Sequence, residues 1–450
     1  MTDVYWLERA CLGDGDPVDG VLVSVADGRF SGVETGVTAA PEGAIRLAGL
    51  TIPGLANCHS HAFHRALRGR TQRERGTFWT WRDQMYAVAA RLDPDSYYRL
   101  ARATYREMAL SGITAVGEFH YLHHGPDGTP YDEANAMGLA LVEAARDAGI
   151  RIALLDTCYL AAGIGREPEG VQVRYSDGDV AAWQKRVDAL ATLTGGRPEK
   201  DGVVVGAAIH SVRAVPREQM PHVAEWATAQ DAPLHLHLSE QVAENAACQE
   251  AYKMSPTEIF ADAGVLGPRT SAVHATHLSD RDIALLGRST THACFCPTTE
   301  RDLGDGIGPS RALHDAGSPL TLGSDSHAVI DVFEEMRAVE LDERLATRAR
   351  GHWSATELLS AATHAGHRSL GFDDSGWIRV GARADLVTLD TGSVRTAGTG
   401  SGAETAVFAA TAADVVQVVV DGRVVATRED RAQAGAELAS AIDGLWRQRS

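Results

Sequence analysis

Four short stretches carry residues that could do chemistry together. The first is NCHSHAFH, Asn57 to His64, which holds three histidines in six residues. His59 and His61 are two apart, and on a strand such residues point to the same side, so two imidazoles can reach one metal ion. HLHLSEQ supplies His235, His237 and Glu240, VHATHL supplies His274 and His277, and LGSDSH supplies Asp325 and His327. HxH alone is a weak signal. The succession HxH, HxxE, His, SDxH is far more specific than any of its pieces. Its chemistry is hydrolytic: imidazoles and a carboxylate for a divalent metal, with a further carboxylate and imidazole for proton transfer.

Residues this far apart act together only if a fold gathers them. The middle of the chain alternates short apolar runs with longer amphipathic stretches. The runs are LTIPGLAN, ITAVGEFH, IRIALLD, VVVGAAIH, PLHLHLSE, SAVHATH, THACFCP and PLTLGSD. Between them lie helix-like segments such as SYYRLARATYREMALSG and EANAMGLALVEAARDAG, each closing on Gly. This alternation predicts βαβ units, and eight runs predict an α/β fold of the (β/α)8 TIM-like barrel type. Most runs end in a chemically capable residue: His61, His120, Asp156, His210, His237, His274 and Asp325. Polar residues that merely begin loops would account for Asp but poorly for so many His, whereas the barrel carries its active site at the C-terminal strand ends. At the two chain ends, GVLVSVADGRF, ADLVTLD and VVQVVVDGRVVA alternate apolar and polar residues. They predict a small β-sandwich domain built from residues 1–50 and 378–450, around a barrel at 51–377.

Composition narrows the function classes. The 450 residues include 44% hydrophobic and 23% charged positions, ordinary for a globular protein with a large core. A net charge of −18 argues against nucleic acid as a partner, and an anionic substrate would need locally placed arginines. Cys11, Cys58, Cys158, Cys248, Cys294 and Cys296 are scattered, with no CxxC pair, so no disulfide framework is expected. MTDVYWLERACLGDG lacks a basic region followed by an apolar core, and no long apolar run marks a membrane span. A cytoplasmic protein with no membrane partner is expected. Neither HExxH nor the H-x-E with P-C-x-x-C zinc deaminase signature is present.

With these motifs in order, the chain resembles the amidohydrolase superfamily over nearly its whole length, including ATHAGHRSLGF and GWIRVGARADLVTLD near the C-terminus. The resemblance implies metal ligands at His59, His61, His237 and Asp325, a catalytic Glu240, and a catalytic His274. Binuclear members commonly use a carboxylated Lys at the end of the fourth strand. VVVGAAIHSVR has His210 there and no Lys, which implies one divalent ion. Three nitrogens and one carboxylate oxygen suit Zn²⁺. The implied mechanism is hydrolysis of a C=N group. Asp325 takes a proton from water made acidic by the metal, Glu240 delivers a proton to the departing nitrogen, and His274 steadies the tetrahedral centre.

Within that superfamily, HSHAFHRALRG, TFWTWRDQMY, GEFHYLHH, HSVRAV, HLSEQ, VHATHL and CPTTERDLGDGI are similar to the formimidoylglutamate deiminases. This implies conversion of N-formimidoyl-L-glutamate to N-formyl-L-glutamate and ammonia, a step in histidine degradation, by a homodimer. It also implies substrate contacts at His64, Arg82, Tyr121, His210 and Arg213. The dianionic substrate gives the two arginines a physical purpose, because a guanidinium binds a carboxylate in bidentate fashion. At His64 the chain departs from the family, which usually has Gln there; neutral imidazole offers one donor and one acceptor, as an amide can. The alternatives are a related formimidoyl or guanidino amino acid, a neutral heteroaromatic amine, and a non-enzymatic scaffold. The filled ligand positions speak against the last. His123 and His124 are expected in a loop, His235 below the metal, His277 and His327 near the mouth, and Cys294 and Cys296 on a buried strand.

Overall fold

The computed structural model describes residues 3–13, 15–72, 76–195, 202–400 and 402–447. The chain opens with β1 (Asp3–Ala10), β2 (Val18–Ala26), β3 (Arg29–Glu34) and β4 (Ile45–Pro53). In β2 the alternation GVLVSVA buries Val21, Val23 and Val25, and the β2–β3 hairpin turns at Asp27 and Gly28 with φ of 52° and 76°. Eight further strands follow: β5 (Leu55–Ser60), β6 (Ile113–His120), β7 (Arg151–Cys158), β8 (Val203–Ile209), β9 (Leu234–Leu238), β10 (Thr270–His274), β11 (His292–Phe295) and β12 (Leu320–Leu322). Finally β13 (Leu386–Leu389), β14 (Val415–Val420) and β15 (Arg423–Thr427) return to the first sheet. Both chain ends thus share one seven-stranded sheet, ordered β15-β14-β13-β4-β1-β2-β3.

The other sheet is the barrel, with β5 to β12 parallel and in sequence order. The strands β6 to β12 fall on seven of the eight apolar runs, whereas the first run, LTIPGLAN, is split between the end of β4 and the start of β5. Every residue of β6 and β7 is buried, as expected where the sheet is covered on both faces. The helix Ala136–Ala148 stops at Gly149, whose φ of 81° supplies the left-handed turn that lets β7 begin two residues later. Below the barrel, Arg151 pairs with Asp385 and Asp421 of the end sheet. No described helix is long and apolar enough to cross a membrane.

Closure of the barrel is the step that matters for chemistry. Ser60 bridges to Asp325 in parallel register, and the Asp325 N–H donates to the His59 carbonyl at 2.9 Å. Asn57 clamps Ser324 from both sides, donating to its hydroxyl at 2.7 Å and accepting from its backbone N–H at 2.9 Å. His327 lies between the hydroxyls of Ser60 and Ser324, at 3.1 and 3.0 Å. The first and last motifs therefore meet because the first and last barrel strands do. Gly323 permits this contact: a Cβ there would lie 2.7 Å from the His59 Cβ and 2.9 Å from the Cys296 sulfur. Gly323→Ala is expected to destabilise the protein by about 1–3 kcal/mol, the usual cost of overpacking a tight core, read as a lower urea midpoint at unchanged slope. An unshifted midpoint would show that the closure has slack.

Candidate active site

His59, His61 and His237 present ring nitrogens within 4.8 Å of one another at the C-terminal end of the barrel. The His59 and His237 Nε2 atoms are 3.2 Å apart, and Asp325 Oδ1 is 3.4 Å from the Nε2 of both His59 and His61. Burial lowers the pKa of all three imidazoles, which keeps them neutral. His61 Nδ1–H donates to the Phe119 carbonyl at 2.9 Å, and His237 Nδ1–H to the His210 carbonyl at 2.8 Å. Each of these rings has then used its one N–H, so Nε2 faces the others as a bare lone pair. Two lone pairs and a carboxylate oxygen at such range form a set that a cation satisfies. The spacings also fit, since donors about 2.0–2.1 Å from a tetrahedral ion lie roughly 3.3–3.4 Å apart.

The backbone is strained where these groups emerge. Asp325, His274 and Ser239 have φ of 41°, 69° and 50°, left-handed values that cost non-glycine residues energy and cluster at functional sites. The turn at Ser239 directs Glu240 over the cluster, 3.9 Å from His274 Nε2, while Asp325 Oδ2 is 3.8 Å from the same nitrogen. On its other side, His274 Nδ1 donates to Glu300 at 3.4 Å. Burial opposes a charge on His274, but Glu240, the Glu300 hydrogen bond and Asp325 together raise its pKa well above the ordinary value. Burial likewise raises the pKa of Glu240. The two groups therefore act as one buried acid pair with a proton to deliver, which is suited to acid catalysis.

Above the cluster lies a cavity open at its mouth. His61, His64, Arg82, Tyr121, His210, Arg213, His237, Glu240, His274 and Asp325 all line it, with His59 fully buried behind them. The predicted residues are therefore gathered on one surface. His64 sits in the 3₁₀ turn Ala62–Leu67, its Nε2 3.1 Å from the Tyr121 hydroxyl. Burial holds it neutral, with a pKa lowered to about 3. Arg213 gives its Nε–H to Glu244 at 2.7 Å, and Glu244 is itself fixed by the Ser239 N–H at 2.8 Å. That anchor orients the guanidinium and leaves its outer nitrogens for a ligand.

Several lining residues escaped the sequence reading. Tyr86, Tyr159, Gln172 and Tyr175 form an aromatic and amide wall of the cavity. Tyr159 stands one residue beyond β7, at a strand end, so its position was a usable signal. Gln172 belongs to the 3₁₀ turn Gly170–Tyr175 within a connecting loop and carries no local signal. Glu300 and Glu244 act by supporting His274 and Arg213, a role with no sequence motif.

His235, His123 and His124 have structural partners. His235 is buried below the ligand layer, 3.3 Å from the Ser369 carbonyl. His123 and His124 do lie outside the strands, but buried, against the Thr157 carbonyl and Asp177. His120, His123 and Asp156 come within metal-binding reach of one another. Asp156 is already held through both oxygens by Arg186, at 2.7 and 2.8 Å, and by Trp183 at 3.0 Å. The fixed guanidinium supplies the positive charge that a metal ion would bring.

Residues 50–425 match the amidohydrolase family. The chain belongs to that family. A formimidoylglutamate deiminase of Pseudomonas aeruginosa is 37% identical over 395 residues, covering 85% of each chain. A 5-methylthioadenosine/S-adenosylhomocysteine deaminase of Halobacterium salinarum is 29% identical over 446 residues, covering 95% of each. The crystal structure of an amidohydrolase from Brucella melitensis superposes with a TM-score of 0.89 at 31% identity, covering 99% of this chain and 100% of that one. This amidohydrolase is a hydrolase acting on C–N bonds, and its barrel gathers His and Asp side chains able to hold a metal ion.

Proposed function

We propose that this amidohydrolase hydrolyses N-formimidoyl-L-glutamate to N-formyl-L-glutamate and ammonia, as in histidine degradation. The observation that carries the reading is the pairing of two arginines, Arg82 and Arg213, in one cavity above the His–Asp cluster, in a protein of net charge −18. A cavity for a neutral purine has no need of two cations, and a substrate with two carboxylates does. The 37% identical relative is named for the same activity.

His59, His61, His237 and Asp325 would hold one divalent ion, with Zn²⁺ favoured by three imidazoles and one carboxylate. Bound there, the ion supplies Lewis acidity that makes water a nucleophile near neutral pH. Asp325, held as a carboxylate by His59 and His274, accepts the proton of the attacking water. The water oxygen bonds to the formimidoyl carbon. His274 donates through Nε2 to the oxygen on which charge builds. Glu240 gives its proton to the imino nitrogen as the C–O bond forms, and Asp325 passes the proton taken from water to the same nitrogen. The C–N bond breaks, ammonia leaves, and the hydroxyl proton of the tetrahedral carbon returns to Glu240 as the C=O forms. Arg82, Arg213, Tyr121, His210 and His64 bind and orient the substrate, so that the formimidoyl group reaches the cluster.

The test is ammonia release from N-formimidoyl-L-glutamate and from 5′-methylthioadenosine by protein loaded with one zinc per chain. Turnover of the first and not the second is expected. Chelation should abolish activity and lower Tm, because a ligand that binds only the folded state stabilises it, and added zinc should restore both. Turnover of the nucleoside alone would overturn the proposal.

A further inference from the structure

The wall residues missed by the sequence reading contain a hydrogen-bond arrangement with one solution. Gln172 Oε1 accepts the backbone N–H of Glu169 at 3.3 Å. A backbone N–H can only donate, so this contact fixes which end of the amide is oxygen. The amide nitrogen then faces two phenols, donating to the Tyr159 hydroxyl at 2.9 Å and to the Tyr86 hydroxyl at 3.1 Å. Both of its hydrogens are used. Each phenol oxygen therefore accepts from Gln172, and each O–H must point elsewhere. Among the described residues neither hydroxyl donates to any acceptor, and both tyrosines line the cavity.

The surroundings indicate what they await. The Arg82 guanidinium carbon lies 5.5 Å from the centre of the Tyr86 ring. Burial raises the pKa of Tyr159, so its phenol stays protonated. Arg213 and Arg82 line the same cavity as that hydroxyl and act on it in the opposite sense. Two O–H donors oriented outward beside two guanidinium groups form an acceptor-binding site for an anion.

We propose that Tyr86 and Tyr159, oriented by Gln172, donate to a carboxylate of the substrate and form a specificity-determining clamp with Arg82 and Arg213. This rests on the dicarboxylate reading of the pocket and names the groups that recognise one of the two carboxylates. Gln172 is a positioning residue, since it touches the phenols and acts through them.

The experiment measures binding of N-formyl-L-glutamate by calorimetry to zinc-loaded wild type, Tyr159→Phe, Tyr86→Phe and Gln172→Glu, alongside kcat and KM on N-formimidoyl-L-glutamate. Each phenylalanine keeps the ring and loses one hydrogen bond to a charged group, so Kd and KM are expected to rise about tenfold to a hundredfold with kcat little changed. Gln172→Glu is nearly isosteric and still accepts from Glu169. Its carboxylate would turn both O–H groups inward, and the dianion should bind at least as weakly as to either phenylalanine variant. Tm values close to wild type identify these as binding effects. If wild type binds the dianion and the three variants bind it equally well, the clamp is wrong while the proposed substrate stands. If wild type binds it, the variants lose it, and no formimidoyl turnover is seen, the clamp stands and the proposed reaction falls. If wild type binds no dianion, both fall.

Discussion

Glu240→Gln is expected to lower kcat on N-formimidoyl-L-glutamate by about 10²–10⁴-fold, the range that one positioned acid–base group contributes. Three features of its setting support the figure. The left-handed turn at Ser239 aims the side chain over the ligand cluster. Burial raises its pKa, which favours the protonated carboxyl needed to deliver a proton. His274, 3.9 Å away, occupies the other side of the reaction space. Glutamine keeps the shape and hydrogen-bonding capacity but cannot transfer a proton. Zinc content and Tm should match wild type, because Glu240 is not among the proposed ligands. A variant that kept more than about a tenth of wild-type kcat would remove Glu240 from the proton path.

The second large effect is expected at Arg213. Arg213→Met should reduce kcat/KM for the dicarboxylate about a hundredfold or more, since truncating one partner of a buried charge pair costs roughly 2–5 kcal/mol. The same change also strips Glu244 of its partner, and Glu244 is almost fully buried. An uncompensated buried carboxylate destabilises a protein by about 3–5 kcal/mol, so a fall in Tm is expected together with the kinetic loss. Arg213→Lys separates the two. It keeps a positive charge near Glu244 while losing the planar fork, and should preserve most of the Tm yet still lower kcat/KM by about tenfold. A neutral heteroaromatic substrate predicts near-normal kcat/KM in the lysine variant. Wild-type kinetics there on the true substrate would therefore overturn the dianion reading.

Much of this site was legible in one dimension. Seven of the eight apolar runs mark β6 to β12 because a strand covered on both faces must be apolar for several residues in a row, and that is a property of neighbours in sequence. His59 and His61 share a face because side chains alternate along a strand. His237, His274 and Asp325 could be assigned to one surface because parallel barrel strands all deliver their C-terminal ends to the same rim.

What the sequence could not supply was the set of contacts between those ends. Barrel closure through Ser60 and Asp325, with Gly323 against His59, turns two distant motifs into one cluster. The carbonyls of Phe119 and His210 decide which nitrogen of His61 and His237 is bare. Glu300 holds the His274 ring, Glu244 aims Arg213, and Gln172 turns two phenols toward the cavity. The sequence by itself determined the strand count, the barrel class and which histidines share a rim, because periodicity and strand ends are local. Only the tertiary structure decided protonation, orientation and the second set of partners, because a hydrogen bond is made by whatever group packing brings within about 3 Å, from any place in the chain.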